Sequence, residues 1–325
     1  MSAGREFRGP ATGRALSEGD DAATARETAA WTAYLGIDVE HAPQKAIKGR
    51  IEAMRQSTLG IRGRPLPGLR LSQVSQAGKT WTLKSYIAEL KTKTAAATGL
   101  SPHPHQAIYI GLKKRTTVKM LFQNVLAKLG DPHVNVGNVE ILEQRCKELL
   151  LEHGVQLLFV DEVQHLLGGS QVKEDVTDQL KTFMDEGLVP IVMAGNERSR
   201  EFFEANPQLA GRLGTPLELA PATMESVDAA RAFATFCDNL DQAMVDAGCV
   251  RRLSGLGTGA ILARMVDAAT GHVGRVHRIV EEALRFSARR GADFVEEYDL
   301  SYSVRHFAIP NGWVDENPFA EPDSW

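Results

Sequence analysis

The sequence predicts an α/β fold, a mostly parallel sheet covered on both faces by helices, with a separate all-helical domain after it. Three observations predict this. From Leu69 to Leu219, apolar runs of strand length alternate with longer stretches of helical periodicity, the pattern that successive βα units leave in a chain. After Pro221 the strand signal disappears. Between the first strand candidate and the helix that follows it stands Ala77-Gly78-Lys79-Thr80, placed where a parallel sheet binds its ligand, beyond the carboxyl ends of the strands.

The chain of 325 residues is long enough for about two domains at roughly 150 residues each. Its 43% hydrophobic and 24% charged residues, with 29 Gly and 14 Pro, describe an ordinary globular composition. A net charge of −4 supplies no global positive field, so binding to nucleic acid has to come from a local basic patch. No stretch approaches the ~20 apolar residues that span a bilayer, and MSAGREFRGP lacks the apolar core of a signal peptide, so a cytoplasmic protein without membrane association is expected. Cys146, Cys237 and Cys249 are widely spaced and form no CxxC pair, which suits reduced core thiols. His103 and His105, in SPHPHQ, read as a Pro-punctuated loop rather than a metal site.

Residues 1–44 are expected to be a flexible tail, at least to about residue 27, and a leading helix; Gly4, Gly9, Gly13 and Gly19 stand there among small and charged residues. Ile47, Ile51 and Met54 then follow helical spacing until Gly60, Gly63, Pro65, Pro67 and Gly68 break it. Strand candidates are Leu69–Val74, Ala107–Leu112, Val155–Val160, Leu188–Ala194 and Pro216–Leu219. The helices between them are marked by Leu83, Ile87 and Leu90; by Val118, Leu121, Phe122, Val125 and Leu129; by Leu142, Cys146 and Leu149; and by Val172, Val176, Leu180 and Phe183. These assign an α/β core to residues 45–221, a helical domain to 222–305 and an acidic, Pro-containing extended tail to 306–325.

A phosphate-binding loop needs converging backbone N–H groups, a Lys that reaches the β and γ oxygens, and a hydroxyl for Mg²⁺. Lys79 and Thr80 supply the last two. The full G-x-x-x-x-G-K-[ST] pattern places its first glycine at position 73, where this chain has Gln73. The second signal is Leu157-Leu158-Phe159-Val160-Asp161-Glu162, an apolar strand ending in two carboxylates. Such acids are costly to desolvate unless they have work to do: Asp161 suits the shell of Mg²⁺, and Glu162 suits orienting an attacking water. A third strand ends in Ala194-Gly195-Asn196, whose amide can bond a γ-phosphate or a water, although Gly-Asn is also a common turn. Arg212, in NPQLAGRLG, suits an arginine finger facing a neighbouring subunit's nucleotide, or a surface Arg.

On QVSQAGKT, LLFVDEVQHLL, IVMAGN, NPQLAGRL and TGHVGRVHRIVEEAL, the chain resembles the AAA+ ATPases, a class of P-loop NTPases, over about residues 45–300. Within them, VDEVQHL, AGNERSREFF and PQLAGRL resemble the transposition regulators of the TniB, TnsC and MuB type. The resemblance implies an AAA+ parallel-sheet core with a C-terminal helical lid and a Walker A motif at Ala77, Gly78, Lys79 and Thr80. It further implies a Walker B motif at Asp161 and Glu162, sensor 1 at Asn196, a finger at Arg212, and sensor 2 at Arg275, with Arg278 the alternative because GHVGR does not settle between the two. ATP and Mg²⁺ are the implied cofactors, with Thr80 and Asp161 as the metal-holding residues.

Residues 113–128, KKRTTVKMLFQNVLAK, carry Lys113, Lys114, Arg115, Lys119 and Lys128 and no acid, and Thr116 or Thr117 can cap the helix that follows. Basic side chains with hydroxyls beside a helix N-terminus make phosphate contacts without reading sequence, so Lys113, Lys114, Arg115, Thr116 and Lys119 are the DNA-binding candidates; a solvated helix face is the plain alternative. Here too the resemblance agrees, implying homo-oligomeric rings or helical filaments on duplex DNA. It implies as partners a transposase and a target-selection protein. The expected function is an ATP-dependent regulator of DNA transposition. A helicase-loader or initiator-type AAA+ ATPase shares every nucleotide-site residue, and a non-hydrolysing scaffold is the alternative that Gln73 suggests.

Overall fold

A computed structural model describes residues 18–320 apart from 102 and 169. The chain divides into two compact units, one of residues 40–232 and 271–275, the other of residues 1–39, 233–270 and 276–325.

The first unit begins with helix α2 (Ala42–Thr58), which follows α1 (Glu18–Tyr34) of the second unit. It continues through β1 (Gly68–Ser72), α3 (Lys79–Thr98), β2 (Ala107–Gly111), α4 (Val118–Lys128), α5 (Val139–Glu152), β3 (Leu157–Asp161), α6 (Gln171–Asp185), β4 (Ile191–Gly195), α7 (Ser199–Ala205) and α8 (Pro207–Arg212). The four strands are parallel in the order β1-β4-β3-β2, with Leu69 opposite Val192, Phe159 opposite Val192, and Tyr109 opposite Phe159. Successive side chains of a strand point to opposite faces, and both faces are covered. Leu158, Val160, Ile191 and Met193 pack with Phe122 of α4, Cys146 of α5 and Phe183 of α6. Leu157, Phe159, Val192 and Ala194 pack with Ile51 of α2 and Leu83 of α3. The sequence placed all four strands within a few residues of their ends. The fifth candidate, Pro216–Leu219, is reduced to a single parallel bridge from Leu217 to Leu71 beside β1.

This order decides the site. β1 and β3 flank β4, so the loops leaving their carboxyl ends converge, and the chain's return from β1 to the far edge at β2 opens the crevice in which α/β sheets take ligands.

The second unit is helical, with α1, most of α9 (Val227–Asp246), α10 (Gly259–Ala269), most of α11 (Val273–Arg289) and α12 (Glu297–Ser303). Residues 18–27, expected to be tail, form the first turns of α1. Arg26 donates to the carbonyls of Ala288 and Arg289, Glu27 pairs with Arg285 and Arg289, and Trp31 Nε1 donates to Glu281 at 2.7 Å. The part of the expected tail before residue 18 lies outside the described residues. Residues 306–320, expected to be extended, instead pass through a π-helical turn, Val304–Ala308, and fold back. Trp313 meets Phe307 edge-on at 5.1 Å, Asn317 Nδ2 donates to the Ser301 carbonyl, and Phe319 is 4% exposed. Two aromatic anchors and one amide outweigh the acidic, Pro-containing composition.

Cys146, Cys237 and Cys249 are buried free thiols, and burial pushes the Cys146 thiol up to about 12. Among the described residues no helix is long and apolar enough to cross a membrane.

Candidate functional site

The loop Gln73–Gly78 leaves the carboxyl end of β1 and delivers the chain into α3, whose first residues are Lys79 and Thr80. Gln73, at the position of the missing first glycine, is buried and has no left-handed backbone; its N–H donates to the Gly195 carbonyl at 3.2 Å. It extends the β1–β4 ladder by one bond, so a Cβ is accommodated there without strain. The left-handed residues are instead Gln76 (φ 63°) and Gly78 (φ 94°).

Two glycines make this loop possible. A Cβ on Gly78 would stand 2.8 Å from Gln44 Nε2 in a backbone conformation that disfavours side chains. One on Gly274, in the GHVGR stretch, would overlap the Gln76 carbonyl and lie 3.3 Å from Gly78 N. Gln44, in turn, is fixed by accepting the His41 N–H at 2.8 Å. Gly274 therefore packs its backbone directly against this loop, at the N-terminus of α3, the end of a helix that favours anionic phosphate.

Across the crevice, Asp161 ends β3, fully buried. Thr80 Oγ1 donates to its Oδ2 at 2.9 Å, Tyr109 Oη donates to the same oxygen at 2.5 Å, and the Glu162 N–H donates to Oδ1 at 2.8 Å. A hydroxyl and a carboxylate oxygen held side by side are a donor set that fits Mg²⁺, a cation that prefers one or two protein oxygens together with waters and phosphate. Glu162 follows in a left-handed conformation (φ 64°), a strain of the sort that reactive positions carry. It opens the 3-10 turn Val163–Leu166, and its carboxylate accepts from Gln164 Nε2.

Asn196 leaves β4 between these two motifs. Its Oδ1 accepts the Arg198 N–H at 3.0 Å, so Nδ2 is the end of the amide that can donate to a phosphate oxygen. Lys79, 8% exposed, Thr80, Asp161, Glu162 and Asn196 therefore gather at one edge of the sheet.

Arg212, the last residue of α8, is bound within its own chain: Nε and Nη2 meet the two carboxylate oxygens of Asp185 at 2.6 and 3.0 Å. Arg275 belongs to the short segment 271–275 of the first unit, next to Gly274, and burial lowers its pKa. Arg278 lies in the other unit, paired with Glu281 at 2.6 Å and set over the Phe307 ring. Lys113, Lys114, Arg115 and Lys119 are all exposed around the N-terminus of α4. Thr116 differs from them: it is 3% exposed and its Oγ1 accepts the Lys113 N–H at 2.8 Å, so it shapes the basic loop from inside. Thr117 is the cap, accepting the Met120 N–H at 3.2 Å.

Sequence reasoning assigned no role to Tyr109 or Gln164. Tyr109 carries no local signal, because its contact with Asp161 depends on the pairing of β2 with β3. Gln164 stood inside VDEVQHL, and only the turn that brings it back to Glu162 gives it one.

The family model of the bacterial TniB protein matches residues 39–220. No curated protein matches the chain. Among solved structures, the ORC1 protein of Aeropyrum pernix in complex with DNA aligns with a TM-score of 0.60 and 18% identity, over 85% of this chain and 68% of that one. The ORC2 protein of the same organism, in ADPNP-ADP complexes, aligns at 0.59 and 15%, over 79% and 67%. Drosophila ORC bound to DNA aligns at 0.56 and 15%, over 94% and 69%. At such identities the likeness shows the fold, an AAA+ α/β core with a helical region after it.

Proposed function

The chain belongs to the TniB family, and from that premise we propose that it binds and hydrolyses ATP at the carboxyl edge of its sheet and uses the nucleotide to assemble on duplex DNA as a regulator of transposition. The observation that carries the reading is the bond from Thr80 Oγ1 to Asp161 Oδ2, which joins the phosphate loop of β1 to the acidic end of β3 across β4.

The loop amides of Ala77 and Gly78 and the Lys79 ammonium hold the phosphates. Thr80 and Asp161 hold Mg²⁺, which neutralises charge on the phosphate oxygens when bound. Glu162 orients the attacking water and takes its proton, and Asn196 donates to the γ-phosphate or to that water. Arg212 reaches the nucleotide of a neighbouring copy, and Arg275, rather than Arg278, serves as sensor 2, because it lies in the segment that packs on the phosphate loop. A ligand shared across a subunit boundary stabilises the assembled state by its differential affinity, so ATP favours assembly and hydrolysis releases it. Lys113, Lys114, Arg115 and Lys119 contact the DNA backbone, with Thr116 holding their loop in shape. The assembled protein then recruits a transposase and a target-selection protein in the cytoplasm.

ORC1 of Aeropyrum pernix was solved with DNA and ORC2 with nucleotides; this agrees with both halves of the proposal but does not select an initiator role. The test is ATP turnover with and without duplex DNA, alongside light scattering for assembly. Turnover that DNA stimulates and Lys79→Ala abolishes, together with assembly that needs both ATP and DNA, is the expected result. Nucleotide binding without turnover favours the scaffold reading, and the absence of an ATP-dependent assembly on DNA overturns the proposal.

A further inference from the structure

Gln164 uses both ends of its amide. Oε1 accepts the Asn196 N–H at 3.1 Å, and Nε2 donates to Glu162 Oε2. Room for this is made by Gly195, where a Cβ would come within 2.6 Å of Gln164 Oε1 and 2.7 Å of Ser199 Cβ. The chain of bonds continues beyond Asn196. Its carbonyl accepts the Ser199 Oγ–H at 2.6 Å and the Ser199 N–H at 2.9 Å, and Ser199 Oγ stands 2.6 Å from the hydroxyl of Ser72, the last residue of β1. Ser199 is fully buried and Ser72 nearly so. Five side chains and backbone groups thus tie the carboxyl ends of β3, β4 and β1 together just beneath the phosphate site.

We propose that Gln164 is the positioning residue that couples the carboxylate of Glu162 to the backbone of Asn196, so that the water-activating and phosphate-sensing groups move as one. The inference rests on the reading of Glu162 as the base. An amide suits this role because it cannot titrate: it holds Glu162 in place without offering a proton, and its planar, two-ended geometry transmits a shift at Asn196 directly. Titratable groups beside Glu162 include Asp161, bonded to its N–H, Tyr109, whose hydroxyl donates to Asp161, and His165, whose Nε2 lies 4.0 Å from Oε2. None of these reaches Asn196 in the hydrogen bonds described above.

The experiment compares Gln164→Leu, Gln164→Glu and Glu162→Gln in the full chain with Mg-ATP and duplex DNA. Loss of a hydrogen bond to a charged group gives the expected scale, about a tenfold or larger fall in kcat for Gln164→Leu, with KM for ATP within about twofold of the parent. Gln164→Glu sets a second carboxylate against Glu162 in place of the amide donor, so its kcat falls at least as far as that of Gln164→Leu, again with KM for ATP within about twofold of the parent. Wild-type kcat in Gln164→Leu overturns the coupling, and so does a parallel loss of kcat and ATP affinity, which marks a merely structural residue. Glu162→Gln separates the two claims. If it turns over at the parent rate, the reading of Glu162 as base is wrong; if it is inactive while Gln164→Leu is fully active, only the coupling is wrong.

Discussion

Arg212 and Asp185 form a two-point ion pair within one chain, guanidinium Nε and Nη2 against both carboxylate oxygens. Both side chains are over a third exposed, so the pair is worth about 1 kcal/mol at most in solution. A buried phosphate across a subunit boundary is a far stronger partner, and the in-chain pair is weak enough to give way to it. Asp185→Asn removes the competitor and is expected to lower the protein concentration needed for ATP-dependent assembly by up to about fivefold. Arg212→Ala is expected to cut assembly-dependent turnover by about 10²-fold or more while leaving ATP affinity in the monomer unchanged. Light scattering against protein concentration and steady-state turnover read the two outcomes; an unaltered turnover in Arg212→Ala assigns Arg212 to the surface.

The basic loop makes a separate prediction. Lys113, Lys114 and Lys119 are exposed around the capped N-terminus of α4. Replacing all three with Ala should weaken DNA binding equally across sequences and flatten the dependence of log K on log salt by about one unit per lost phosphate contact. Thr116→Val works differently, because it removes the acceptor for the Lys113 N–H and loosens the loop without removing charge. Its salt slope should stay at the parent value. A triple variant with the parent's slope places the DNA elsewhere.

Gly274 gives a test of the phosphate loop that touches none of its motif residues. A methyl there overlaps the Gln76 carbonyl, so Gly274→Ala has to displace the loop or the segment 271–275. Affinity for ATP, measured by calorimetry, should fall by about tenfold or more, while Gly211→Ala, where a Cβ meets nothing within 4 Å, leaves it unchanged. Equal affinities in the two variants separate Gly274 from the nucleotide site.

These predictions draw on two kinds of residue, and the sequence disclosed them unequally. The strands were legible because a parallel sheet buried on both faces must be apolar throughout, as Leu157–Val160 and Ile191–Ala194 are. Lys79, Thr80, Asp161 and Glu162 stood out in the sequence as the groups that phosphate and Mg²⁺ chemistry would ask for, and the strand order brings them together. Helix α1 was missed over residues 18–27 because its anchors are ion pairs and single polar bonds, Glu27 to Arg285 and Trp31 to Glu281, which leave no periodic apolar face. Gln164 and Tyr109 were missed for a related reason: Gln164 meets Asn196, and Tyr109 meets Asp161, only once β3 has paired with β4 and β2. The burial of Phe319 was hidden by the acids and prolines around it.

The last prediction concerns the helical unit and pH. His277 is held with its imidazole down at about 4, from an ordinary value of 6.5, because burial disfavours the charged ring more strongly than the nearby Asp38 and Glu281 carboxylates favour it. Tyr34 Oη donates to the His277 carbonyl at 2.9 Å and lies 3.2 Å from Nδ1, and Phe236 meets the ring edge-on. In the unfolded chain the ring takes up its proton near 6.5, so the unfolded state binds more protons between 6.5 and 4. Stability from this group is therefore complete above pH 6.5 and is lost as pH falls toward 4, about 2 kcal/mol of it by pH 5. His277→Asn is less stable than the parent at pH 7.5, but it has no ring to protonate. Its stability should fall less between pH 7.5 and 5.0, by about that same 2 kcal/mol, in denaturant titrations followed by circular dichroism. His41, also held at about 4 by burial, contributes the same acid sensitivity to both proteins and cancels from the comparison. If parent and variant lose equal stability over that range, the buried neutral ring is not what makes the helical unit sensitive to acid.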